Sequence, residues 1–113
     1  MTTIQINENA QMIRVQGHAD YAGAGKDIVC AGISALTWTL AGALHKVGAL
    51  NMVEEKDGDM LIGYKATDLS GPYIDMFLTG AEMLEYRYPE NVRLQGRNAQ
   101  AKNDTMSAEG GMV

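Results

Sequence analysis

The chain has 113 residues, 46% of them apolar and 20% charged, which is the length and balance of one globular domain and excludes both a second independent core and a disordered chain. Its net charge is −5, from 9 basic and 14 acidic residues; this argues against a nucleic-acid partner, which calls for a clustered basic face, and suits a basic protein partner instead. The one cysteine excludes an internal disulfide and a multi-cysteine metal cage, and His18 and His45 are too few for a histidine-rich site, so no metal or cofactor is expected.

No uninterrupted apolar run reaches the ~18 residues of a membrane span, and no basic-then-apolar leader opens the chain. The expectation is a cytoplasmic protein with no membrane partner.

Taken in chain order, Thr3-Ile4-Gln5-Ile6-Asn7 alternates apolar and polar residues, and so does Gln11-Met12-Ile13-Arg14-Val15-Gln16. Period-two alternation predicts half-buried strands, and Asn7-Glu8-Asn9 supplies the turn of a hairpin. The segment from Gly17 to Asp27 holds three glycines and predicts a loop. From about Ile28 to Val47 the apolar residues Ile33, Leu36, Leu40, Leu44 and Val47 recur at three- and four-residue spacing, the stripe of an amphipathic helix. Asp27 is a suitable N-cap and Gly48 a suitable stop. Cys30, Ser34, Trp38 and Ala41 fall on the flank of that stripe rather than its centre.

A second hairpin follows, Leu50 to Lys56 and Asp59 to Ala66, around the strong turn signal Asp57-Gly58. Ser70-Gly71-Pro72 opens a second helix, with Ile74, Phe77, Ala81, Leu84 and Tyr88 on one face and Pro89 as its end. Val92-Arg93-Leu94 is a short terminal strand. The order strand-strand-helix-strand-strand-helix predicts an α+β fold, a small, mainly antiparallel sheet covered by two helices, whose edges a dimer could cover. Residues 1–95 form the single domain, and 96–113 a polar tail expected to be disordered.

The chemistry concentrates in the loop. A cysteine nucleophile needs a base within hydrogen-bond reach and donors for the oxyanion. His18 ends a strand, and Cys30 lies in the first turn of a helix, where free N–H groups and the helix dipole stabilise a thiolate. A glycine-rich loop between them can bring the two together. His45 is a poor base, since it lies at the far end of the same helix, about 22 Å from Cys30 at ~1.5 Å per residue. Asp27 reads first as the cap and second as a group orienting His18; Asp20 is a weaker orienter. Ser34, one turn beyond Cys30, could bond the thiol or the substrate, or back-bond to helix carbonyls. Tyr21 reads as a cover for the site or a loop anchor, Trp38 as surface packing before substrate contact, and Lys26 as a solvated charge. On spacing alone, Cys30 is either a small apolar residue or a nucleophile.

The run Gly17-His18-Ala19, then Tyr21, then Gly25-Lys26-Asp27-Ile28-Val29-Cys30-Ala31-Gly32-Ile33-Ser34, closely resembles the signature of the ribosomal-processing cysteine protease family, Prp. The match is tight over residues 17–34 and looser over 3–95. The resemblance implies a Cys-His endopeptidase acting as a homodimer, with Cys30 as nucleophile and His18 as general base. Ala19, Asp20, Tyr21, Ala22, Gly23, Ala24, Gly25 and Lys26 would match the mobile loop that closes around substrate. The implied substrate is a protein with an aromatic-rich N-terminal extension, which is removed from a large-subunit ribosomal protein or, in phage-encoded members, from a capsid-assembly protein. The competing reading is a non-catalytic dimer that binds such a peptide without cutting it. A redox sensor is disfavoured, because the chain has no resolving cysteine.

Overall fold

The structure is a computed structural model and describes residues 1–23 and 25–96. Ala24 and the greater part of the tail expected over 96–113 lie outside the described residues.

Five strands and two helices follow in the order β1 (Thr2–Asn7), β2 (Met12–Gln16), α1 (Ile28–Lys46), β3 (Leu50–Lys56), β4 (Asp59–Tyr64), α2 (Gly71–Arg87) and β5 (Val92–Gln95). The fold is α+β, as the periodicities predict. The sheet order is β3-β4-β2-β1-β5. β1–β2, β2–β4 and β3–β4 pair antiparallel, whereas β5 joins β1 in parallel. β4 ends at Tyr64 rather than Ala66, because its partner β3 begins at Leu50, directly opposite Tyr64.

Strand alternation decides which face is covered. Ile4, Ile6, Ile13, Met60, Ile62, Val92 and Leu94 are buried on one face, while Gln5, Arg14, Arg93 and Gln95 are exposed on the other. Both helices cross over parallel strands, α1 from β2 to β3 and α2 from β4 to β5. The two strand pairs run in opposite directions and the crossovers step in opposite directions along the sheet, so two right-handed crossovers place both helices on the same face.

α1 buries Val29, Ile33, Thr37, Leu40, Ala41 and Leu44. The expected stripe is therefore rotated slightly: Leu36 and Val47 lie at its margin, and Thr37 joins it because its hydroxyl donates to the Ile33 carbonyl at 2.7 Å and exposes only methyl to the core. The flank grades from half-buried Cys30 to buried Ala41, with Ser34 and Trp38 exposed. Leu36 instead packs across the helix pair against Gly80 of α2. α2 buries Ile74, Phe77, Leu78, Ala81 and Glu82, with Leu84 and Tyr88 partly buried. By length and composition alone α1 is apolar enough to cross a membrane, with a mean hydropathy of 1.5. The scattered Ser, Thr and Gly residues interrupt its apolar runs without lowering the average much. Its six buried residues pack into the core beneath the sheet.

Candidate active site

β2 delivers His18 and the start of α1 delivers Cys30. Gly17, just past β2, has φ +95°, and its N–H donates to the carbonyl of Gly58 at 2.7 Å. The chain end of β2 is thereby tied to the β3–β4 turn. A side chain at Gly17 would collide with the backbone carbonyl of Met1, so the family-like glycine before His18 has a steric cause. His18 itself is more than half exposed, with Nε2 3.9 Å from Asp57 Oδ1.

The loop then turns back over the helix start. Ala19 is buried, its carbonyl accepting from Asn91 Nδ2 at 2.9 Å. Asp20 takes a left-handed backbone, φ +58°. The Tyr21 ring meets the Tyr88 ring edge-on, centroids 5.4 Å apart and planes at 77°. The Lys26 N–H donates to the Gly23 carbonyl at 3.0 Å.

Asp27 caps α1. Its Oδ1 accepts from the Cys30 N–H at 2.8 Å, and its Oδ2 from the N–H groups of Tyr21 at 3.0 Å and Ala22 at 3.4 Å. These bonds, that from Cys30 first, hold its carboxyl below the usual carboxylate range, against a smaller opposing effect of desolvation. The carboxylate is thus spent on backbone donors of the helix and the loop, which is the cap reading. The carboxylate within 4 Å of His18 among the described residues is Asp57, not Asp27 or Asp20. Asp20 instead lies 3.2 Å from the Met1 amino group.

His18 and Cys30 line one cleft of about 620 Å³, together with Asp20, Lys26, Asp27 and Ser34. A smaller cavity of about 170 Å³ adjoins it. That cavity shares His18, Cys30 and Ser34 and adds Trp38, Glu55 and Lys56. Tyr21 is turned toward α2. His45 is exposed at the far end of α1. Among the described residues no group of three or more His, Cys, Asp or Glu side chains is gathered to hold a metal ion. The arrangement puts a half-buried thiol, an exposed imidazole and a capped helix start around one open cleft, the parts that acyl transfer requires.

A family model of the cysteine protease Prp matches residues 1–93. The chain belongs to the Prp family of cysteine proteases. Solved structures agree with this assignment. The crystal structure of an essential ribosomal processing protease Prp from S. aureus, with a covalently linked product peptide, is 26% identical, spans 85% of this chain and 97% of its own, and has a TM-score of 0.73. The same S. aureus protease with a substrate peptide is 25% identical, with a TM-score of 0.63 and coverage of 85% and 97%. The structure of SMU.848 from Streptococcus mutans is 28% identical, spans 83% of this chain and 90% of its own, and has a TM-score of 0.60. A comparison with curated proteins found no match.

Within this Prp fold the sequence located the cleft's thiol, imidazole, cap and serine. It did not locate Asp57, Gly58, Glu55 and Lys56, which read only as a hairpin and its turn. No local pattern marks them, since strand pairing is what brings Glu55, Lys56 and Gly58 to the smaller cavity and Asp57 to within 3.9 Å of His18. Trp38, read first as surface packing, is exposed and also lines the smaller cavity.

Proposed function

We propose that this Prp-family protein is an endopeptidase that uses Cys30 and His18 to remove a short N-terminal extension from a ribosomal protein of the large subunit. One observation carries the chemistry: His18 and Cys30 share the walls of a single open cleft at the capped start of α1. Support for the substrate class comes from the similar S. aureus protein, which is a ribosomal processing protease. A capsid-assembly protein is the other substrate that the sequence resemblance implies. Action as a homodimer in the cytoplasm belongs to the same reading.

In the proposed reaction His18 takes the thiol proton and Cys30 Sγ attacks the scissile carbonyl. The Cys30 N–H is already engaged by Asp27, so the oxyanion is held by other backbone N–H groups of the helix start and loop. Collapse breaks the C–N bond, with His18 giving its proton to the leaving amine. His18 then deprotonates water, which attacks the thioester; the acid leaves and the thiol is restored. Ser34, on the cleft wall one turn beyond Cys30, serves the substrate or the thiol.

The test is cleavage of a co-expressed ribosomal protein carrying an aromatic-rich N-terminal extension, read by mass spectrometry. Cys30→Ala and His18→Ala are each expected to abolish cleavage while circular dichroism stays that of the folded protein. Cleavage retained by Cys30→Ala overturns the reading. Binding of the extension by the unaltered protein without any cleavage would establish the non-catalytic alternative.

A further inference from the structure

An imidazole that is more than half exposed is not fixed by burial, so something else must hold it if it is to act as a base. The ring lies across the β3–β4 turn. A Cβ placed on Gly58 would stand 2.9 Å from His18 Nε2 and 3.5 Å from both neighbouring ring carbons. The backbone is fastened at the same place, through the Gly17 N–H to the Gly58 carbonyl at 2.7 Å. The ring edge also faces Asp57 Oδ1 at 3.9 Å. Three independent contacts therefore join His18 and its neighbour to one two-residue turn.

We propose that the Asp57-Gly58 turn positions His18, with Gly58 left bare so that the imidazole can rest on its backbone at the cleft. This rests on the reading of His18 as the catalytic base. Gly58 is a positioning residue: it touches His18, not the substrate. The Asp-Gly pair thus has two duties. It makes the tight turn, for which Gly58 adopts φ +70°, and it leaves a bare surface on which any side chain would press against the ring. The atom met first is the far end of a rotatable side chain, so the ring yields before the fold does. Misplacing a catalytic group by about 1 Å costs up to about 100-fold in rate.

The experiment compares Gly58→Ala with Gly48→Ala. Gly48 has nearly the same backbone, φ +69°, and nothing within 4 Å of a Cβ placed on it. The two variants therefore carry the same left-handed strain and differ in what the new methyl meets. Cleavage of the extended ribosomal protein is expected to lose about tenfold or more in kcat in Gly58→Ala, with KM within about threefold. Gly48→Ala is expected to keep its kcat, with a similar fall in Tm. An unchanged kcat in Gly58→Ala overturns the proposal. So does an equal loss of kcat in both variants, which would trace the effect to strain. Should Gly58→Ala fail to fold, the unaltered protein decides: nuclear Overhauser contacts between the His18 ring protons and Gly58 Hα support the seat, and their absence overturns it. Cys30→Ala and His18→Ala run in parallel. Cleavage retained by either sinks the Cys30–His18 reading and this proposal with it, whereas cleavage abolished by both but untouched by Gly58→Ala removes the seat alone.

Discussion

Asp27 accepts the backbone N–H of Cys30 at 2.8 Å through one carboxylate oxygen. The other oxygen accepts from Tyr21 and Ala22, across the loop. One side chain thus ends the helix on which the thiol stands and ties down the segment that forms the other side of the cleft. The loop's position and the helix cap are a single feature.

That division of labour separates two substitutions. Asp27→Asn keeps an oxygen for the Cys30 N–H but turns an amide NH₂ toward the donors of Tyr21 and Ala22. Asp27→Ala removes both functions. Asp27→Asn is expected to leave Tm within a few degrees of the unaltered protein and to raise KM severalfold with kcat nearly kept, since loop order is lost and the chemistry is not. Asp27→Ala should lower Tm further. A collapse of kcat by orders of magnitude in Asp27→Asn at unchanged KM would mean instead that Asp27 orients His18. Steady-state kinetics with thermal melts decide this.

Acid should loosen the molecule in a defined window. The carboxyls of Asp27 and Asp59 are both held below their ordinary range, the first by backbone N–H donors, Cys30 foremost, and the second by its hydrogen bonds with Arg14. Arg14 reaches Asp59 with two nitrogens, at 3.0 and 2.6 Å, across the open face from β2 to β4. A depressed folded value means that the unfolded chain binds protons first. The stability these groups contribute is therefore complete above the unfolded-chain value, near ~3.9, and is lost as pH falls through the lower folded values. Tm is expected to be flat from pH 7 to about pH 5 and to fall below about pH 4, with a shallower fall in Asp27→Asn. A Tm that rose on acidification below pH 4 would contradict the sign.

The elements were legible because each is local. Alternation marked β1 and β2, the Asp57-Gly58 turn marked β3 and β4, and three-and-four spacing marked both helices. Asp27, Gly48 and Pro89 marked their ends to within two residues. What was not legible is non-local. Nothing in Val92-Arg93-Leu94 says that the strand will lie parallel to β1 at a sheet edge, since that follows from the crossover of α2. Nothing in Asp57-Gly58 says that the turn will lie under His18, because β4 must first pair with β2 to carry it there. The thiol, the imidazole and the cap lie within one continuous segment and so could be read together. Thr37 was missed in the core because its hydroxyl is satisfied within its own helix, which polarity alone does not reveal.

The edge-on contact of Tyr21 with Tyr88 is the second anchor of the loop, and it joins the loop to the end of α2. An aromatic pair of this geometry contributes about 0.5–1.5 kcal/mol beyond its buried area; since Tyr21 is nearly half exposed, the lower end applies. Tyr88→Leu keeps an apolar contact with the core and loses the ring pair. Its melt is expected to shift by only a few degrees. Amide exchange of Tyr21 and Ala22 should speed up severalfold, and KM should rise about two- to threefold with kcat kept. Unchanged exchange at Tyr21 would show that Asp27 alone holds the loop.

Asp57 offers a weaker hold on His18 than the glycine beside it, and the two can be told apart. Its carboxylate is 99% exposed and lies 3.9 Å from Nε2, so water and salt screen it, and exposed pairs of this kind contribute little. Asp57→Asn preserves the turn, since asparagine serves equally well before glycine, and removes only the charge. It is expected to change kcat/KM by less than about threefold at low salt, and the difference should vanish near 1 M salt, where the screening length is about 3 Å. A tenfold loss that persists at high salt would mean that the carboxylate bonds the imidazole directly during turnover. In that case the third member of the catalytic group would come from the β3–β4 turn rather than from the loop segment that holds His18 and Cys30.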